Sequence, residues 1–217
     1  MAKSVAPRGF ARDRVLEAAL ALFAEHGVNG TSLQMIADRL GVSKAAVYYQ
    51  FHSKEEIVLA VIQPAFDDMA RLVRIAEGMS TPEARQEVAV TGMVDFTVRH
   101  RRMTAVFHGD PAIDTLVNSR ADLSDTIERL TVLLLGTDPD VTTRIVISML
   151  ASGMYGSATD PKLSDVDDAD LHEVLLDCCQ RLLRTRGAND DARTRGANDD
   201  LATQRGGKDR RQLAPSG

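Results

Sequence analysis

Thr31 to Ile57 reads TSLQMIADRLGVSKAAVYYQFHSKEEI, and the punctuation of this stretch decides the fold. The Thr31-Ser32 pair offers a helix N-cap, after which Leu33, Ile36, Ala37 and Leu40 recur at the three- and four-residue spacing of one helical face. Gly41 can take the left-handed conformation that ends a helix, and Ser43 caps a second short helix in which Val47 and Phe51 continue the apolar face. Ser53 then caps a third, starting at Lys54. Two short helices joined by a tight turn make a helix-turn-helix arrangement. Ala37 is small where the helices approach, Val42 is expected to fill the gap beneath the turn, and Ile36, Leu40 and Val47 are expected to share a core with Leu20 and Phe23. Lys44, Ala45, Ala46, Tyr48, Tyr49 and Gln50 are left facing outward.

On the N-terminal side, Val15, Leu16, Ala19, Leu20 and Phe23 form one stripe of a helix running from Phe10 to a stop at Gly27. On the C-terminal side, helices are expected from Lys54 to about Glu77, Pro82 to His100, Arg102 to His108, Ala112 to Leu135, Pro139 to Ala158 and Asp168 to Arg184. Thr81-Pro82, Asp110-Pro111 and Asp138-Pro139 each set a capping side chain before a proline suited to the first turn. No segment alternates in the manner of a strand, so the chain reads as all-α with about nine helices. Residues 1–54 form the helix-turn-helix unit, with its motif at about 32–51, and residues 55–184 form a larger helical domain. Residues 185–217 are expected to be a disordered tail. RTRGANDDA at 184–192 is repeated as RTRGANDDL at 193–201, with no apolar face to bury.

Composition narrows what such a chain does. The 217 residues are 44% apolar and 26% charged, as in an ordinary globular protein, and the nine aromatics without Trp favour helix packing over sheets. The only cysteines, Cys178 and Cys179, are adjacent and supply no disulfide framework. No apolar leader or membrane-length run is present, so the expected location is cytoplasmic with no membrane partner. The formal charge of −5 divides unevenly: residues 1–54 carry +3, residues 55–183 carry −11 and residues 184–217 carry +3. A basic head on an acidic body suits a protein that meets phosphates at one end only.

The 31–57 stretch, together with the A-x-x-x-F-A-E-x-G pattern of Ala19 to Gly27, resembles the DNA-binding region of the TetR family of bacterial transcriptional regulators. The matching elements are Ile36-Ala37, Gly41-Val42-Ser43, Tyr48, Phe51 and Ser53-Lys54-Glu55, within a span from Ala11 to about Ala60. Ala45 stands where the family often has Gly, and Gln50 where it often has His. The resemblance implies a second helix that enters the major groove of double-stranded operator DNA. Its DNA-contact residues would be Ser32, Gln34, Ser43, Lys44, Ala45, Ala46, Tyr48, Tyr49, Gln50 and Lys54. The chemistry agrees: Ser32 and Lys54 lie at helix N-termini that favour phosphate, Gln and Lys pair with base edges, and Tyr offers a flat face with a hydroxyl.

The resemblance also implies a homodimer on a pseudo-palindromic operator and a small-molecule effector of unspecified identity, most often acting on a repressor. Small residues Ser148, Ser152 and Gly156, with the stripe Leu171, Val174, Leu175, Cys178 and Leu182, are the expected dimer interface. Met93, Phe96, His100, Met103, Phe107, Met149, Met154 and Tyr155 are the expected lining of the effector pocket. No cofactor or metal is expected: His100, His108 and Asp110 lack the i, i+4 pairing of a helical metal site. With no phosphate loop, nucleophile elbow or convergent carboxylate pair, an enzyme is not expected. The rival reading is a helical enzyme or adaptor that uses the helix-turn-helix only for packing.

Overall fold

The computed structural model describes residues 8–183, so the tandem repeat and the tail lie outside the described residues. The helices are α1 (Arg8–Gly30), α2 (Leu33–Leu40), α3 (Lys44–Gln50), α4 (Lys54–Glu77), α5 (Pro82–Arg99), α6 (Arg101–Phe107), α7 (Pro111–Asn118), α8 (Ala121–Leu135), α9 (Val141–Thr159) and α10 (residues 168–183). A 3₁₀ turn, Pro161–Leu163, precedes α10, and no strand occurs among the described residues. The all-α expectation holds, with ten helices among the described residues rather than about nine.

The head forms where its caps dictate. Gly27, at φ 70°, breaks α1 before its last residues. The Ser32, Ser43 and Ser53 hydroxyls accept from Met35, Ala46 and Glu56 N–H at 3.2, 3.2 and 3.1 Å. Gly41, at φ 65°, ends α2, and Val42 N–H returns to the Ala37 carbonyl. Val15, Ala19, Phe23, Ile36, Ala37, Val47 and Phe51 are buried together with Ile57, Val58 and Ile62 of α4. This core continues into the body through Phe107, Ile113, Val117 and Leu123, with the Phe23 and Phe107 rings 5.8 Å apart. Val42 is 41% exposed and does not fill the turn: it sits at the edge of a small cavity of about 160 Å³ that Leu40, Ala46 and Val47 also line.

The body is a bundle in which α4, α5 and α8 share one apolar cluster and α5, α9 and α10 another. Asp68 of α4 ties this bundle to the α5–α6 corner, with His100 Nε2 at 3.0 Å and Arg99 at 3.2 Å. Those donors hold its carboxyl below the ordinary carboxylate range.

Two boundaries depart from the sequence reading. The stretch Ala112 to Leu135 is two helices, interrupted at Ser119-Arg120, where the Ser119 hydroxyl donates to the Leu116 carbonyl and Arg120 turns extended. Val117 and Leu123 would lie about 120° apart on one continuous helix, and the break turns both into the same core. The next helix starts after Asp140, whose carboxylate accepts from Thr143 N–H at 2.8 Å, and Pro139 lies outside it.

Helices α4 and α5 cross at Gly92, where a Cβ would collide with the side chain of Leu72. Gly92→Ala should therefore lower stability by about 1 kcal/mol in chemical denaturation, overpacking outweighing the helix propensity gained. In a Leu72→Ala background the same substitution should become neutral or stabilising.

Candidate nucleic-acid interface

Helix α3 is seven residues long and gives the core one side chain of its own, the fully buried Val47. So short a helix has no stability alone, and the burial of Val47 and Phe51 determines its orientation. The opposite side carries Lys44, Ala45, Ala46, Tyr48 and Tyr49 to solvent, with Tyr48 52% and Tyr49 73% exposed, and Gln50 half-buried. Ser43 is exposed at the α3 N-terminus and Ser32 at the α2 N-terminus, so two capped helix starts belong to the same motif. Gln34 is exposed and donates to Asp38 at 2.8 Å, one turn along α2. The Tyr48 ring meets His52 edge-on at 5.3 Å.

Several side chains outside the expected set hold this surface. Arg12 of α1 lays its guanidinium over the Phe51 ring, 4.2 Å from the centroid, and donates to the Gln50 carbonyl at 3.4 Å. A cation at the C-terminal end of α3 complements the helix dipole. Buried Thr31 donates to the Gly27 carbonyl at 2.9 Å, so Ser32 is the cap and Thr31 locks the preceding bend. Arg39 forks onto Glu25 at 3.0 and 2.6 Å, joining α2 to α1, and holds that carboxyl below its ordinary range.

Lys54 is half-buried, and its Nζ donates to the Val28 carbonyl at 2.6 Å and the Asn29 carbonyl at 3.5 Å. These carbonyls lie in the last residues of α1, past the Gly27 break, where a cation is favoured. Its ammonium thus ties α4 to the end of α1, and its third N–H remains for a further acceptor.

In the body, the expected pocket residues do not converge. Phe107 and Met103 belong to the head core, Met93 and Met154 to the α5–α9–α10 core, Phe96 packs on His100 and Tyr155 stacks on His108. Met149 is 58% exposed, because the phase that turns Ile147, Leu150 and Met154 inward turns it outward. There it lines an open groove of about 730 Å³ between α8 and α9, together with Leu134, Leu135, Val141, Ile145 and Arg144.

The expected dimer stripe also divides. Leu171 and Leu175 are buried with Cys179 in the body's own core, since α10 needs an inward face to pack at all. Burial and its neighbour Cys178 raise the Cys179 thiol above its ordinary range. Val174, Cys178 and Leu182 stay exposed at four-residue spacing, and Ser148, Ser152 and Gly156 are exposed on α9 beside Val141, Ile145 and Met149. Among the described residues, no group of three or more His, Cys, Asp or Glu side chains is arranged to hold a metal, and no helix is long and apolar enough to cross a membrane.

Residues 15–61 match the family model of bacterial regulatory proteins, tetR family. The chain is 38% identical over 91 residues to the HTH-type transcriptional activator FasR of Mycolicibacterium smegmatis, covering 42% of each. Over 102 residues it is 28% identical to the biofilm operon icaADBC HTH-type negative transcriptional regulator IcaR of Staphylococcus aureus, covering 46% of this chain and 55% of IcaR. The matched stretches thus span about half the length of these relatives. In fold, the chain is similar to the ketosteroid transcriptional regulator KstR2 of Mycobacterium tuberculosis, with TM-score 0.61 at 21% identity over 85% of this chain and 97% of that one.

The two lysines of the motif should separate in the absence of any ligand. Lys54→Ala should cost about 1 kcal/mol in urea unfolding through the lost carbonyl contacts, whereas Lys44→Ala should lie within about 0.5 kcal/mol of the parent. Equal stabilities would contradict the fold role of Lys54.

Proposed function

We propose that the chain is a DNA-binding transcriptional regulator rather than an enzyme, because residues 15–61 match the model of bacterial regulatory proteins, tetR family. In this reading it is a ligand-responsive repressor bound as a homodimer to a pseudo-palindromic operator. The observation that carries it is the exposed face of α3, where Lys44, Tyr48 and Tyr49 project from a helix whose other side is locked by Val47. Such a helix lies in the major groove with Lys44 and Gln50 toward base edges, and Ala45 and Ala46 permit close approach or touch a thymine methyl. Ser32, Ser43 and the backbone amides beside them bind phosphates, which fixes register without reading sequence. Gln34 and the first turn of α4 at Lys54 flank that contact.

Dimerisation is supported by the exposed stripes of α9 and α10. Their small and apolar residues, Ser148, Ser152, Gly156, Val174, Cys178 and Leu182, suit a four-helix contact between two copies. The effector enters the body and favours a geometry in which the two α3 helices no longer match successive major grooves. By linkage, operator binding weakens the effector by the same factor. The names of FasR and IcaR carry opposite signs of regulation, so deletion of this gene decides the sign here: reporter expression from its target should rise.

Duplexes selected by the full chain from a random library supply the test. In mobility shift, Lys44→Ala and Tyr48→Ala should each weaken binding by about five- to a hundredfold, and Gln50→Ala should change preference at one position. Variants that all bind like the parent would overturn the assignment of this face. Val174→Glu should shift sedimentation from twice the 23.6 kDa chain mass toward the single chain.

A further inference from the structure

The bend between α1 and α2 is held from two sides by side chains that come from far along the chain. One oxygen of the Asp110 carboxylate accepts from Ala112 N–H at 2.9 Å and caps α7. The other accepts from Val28 N–H at 3.3 Å, 82 residues away. Lys54 of α4 holds the carbonyl of the same residue, Val28, at 2.6 Å. Val28 is buried and directly follows Gly27, whose positive φ turns the chain there. Its peptide groups are therefore gripped by α4 on one side and by the body on the other. Between them lies a cleft of about 470 Å³, walled by Val28 and Asn29 on the head and by Pro111, Ala112 and Leu116 on α7.

Apolar contacts such as Phe23 against Phe107 join the head and the body in one continuous core, although burial as such is not directional. The hydrogen bond from Val28 N–H to the Asp110 carboxylate is long at 3.3 Å, so what it adds is direction rather than strength. Ser32, which caps α2, lies four residues beyond Val28, so the bend that Asp110 grips leads directly into the motif. We propose that Asp110 is a positioning residue: by bridging the α7 cap and the Val28 N–H, it fixes the angle of each head on the body and so sets the distance between the two α3 helices of a dimer. This rests on the DNA-binding, dimeric reading above.

A dimer with fixed heads discriminates between half-site spacings, since inserting two base pairs rotates one half-site by about 70° relative to the other. The test uses the duplex selected by the full-length parent and the same duplex with two base pairs inserted at its centre. Asp110→Ser keeps a capping oxygen for α7 but is too short to reach Val28, so it removes the joint and spares the helix. The parent should lose at least about tenfold in affinity on the inserted duplex, and Asp110→Ser no more than about threefold, with affinity for an isolated half-site equal in both. Asp110→Asn, which keeps the length and one accepting oxygen, should fall between them. An Asp110→Ser protein that keeps the parent's discrimination ratio overturns the joint. A parent that selects no duplex overturns the DNA-binding reading, and the joint with it.

Discussion

The burial of Val47 and Phe51 is the constraint on which the head depends. A seven-residue helix cannot form by its own propensity, so α3 exists because these two side chains enter a core built by α1, α2 and α4. Once Val47 is fixed beneath Ile36 and Ala37, the 100° step of the helix leaves Lys44, Tyr48 and Tyr49 no choice but solvent. The exposed aromatic and basic face is therefore the complement of the core. Burial alone does not explain why two tyrosines should occupy it, whereas contact with nucleic acid does.

The same economy appears at the edges of α3. Ser43 satisfies its N-terminal amides, while Arg12 covers Phe51 and draws on the Gln50 carbonyl at the other end. Both ends of a short helix are thus fixed by side chains rather than left to fray. The head core runs without interruption into α6, α7 and α8, so the acidic body is the platform on which the basic head is mounted. That polarity directs a nucleic acid to one end of the molecule.

Much of this was legible in the sequence because the determinants are local. Ser32, Gly41, Ser43 and Ser53 each cap or end a helix through bonds to residues no more than four positions away, so the bounds of α2, α3 and α4 follow from reading them. The interruption at Ser119-Arg120 was not legible, because it depends on where the head core needs Val117 and Leu123. Val42, Leu171 and Leu175 were misplaced for a related reason. Periodicity identifies an apolar stripe, and only packing decides whether it faces the subunit's own core or its surface. Met149 faces outward for the same reason and lines the open groove between α8 and α9. Arg12 and Asp110 act across 38 and 82 residues, a separation that no motif spacing reveals. The Lys54 ammonium, placed by its position at a helix start, also meets the Val28 carbonyl, a contact 26 residues away that no spacing reveals.

Contact between the α3 face and the phosphate-lined major groove would show in the salt dependence of duplex binding. If the two basic heads of a dimer together make about six to ten phosphate contacts, log K for the selected duplex should fall linearly with log salt. The affinity loss between 50 and 200 mM should then be on the order of a thousandfold or more. An affinity that does not change over that range would contradict the account.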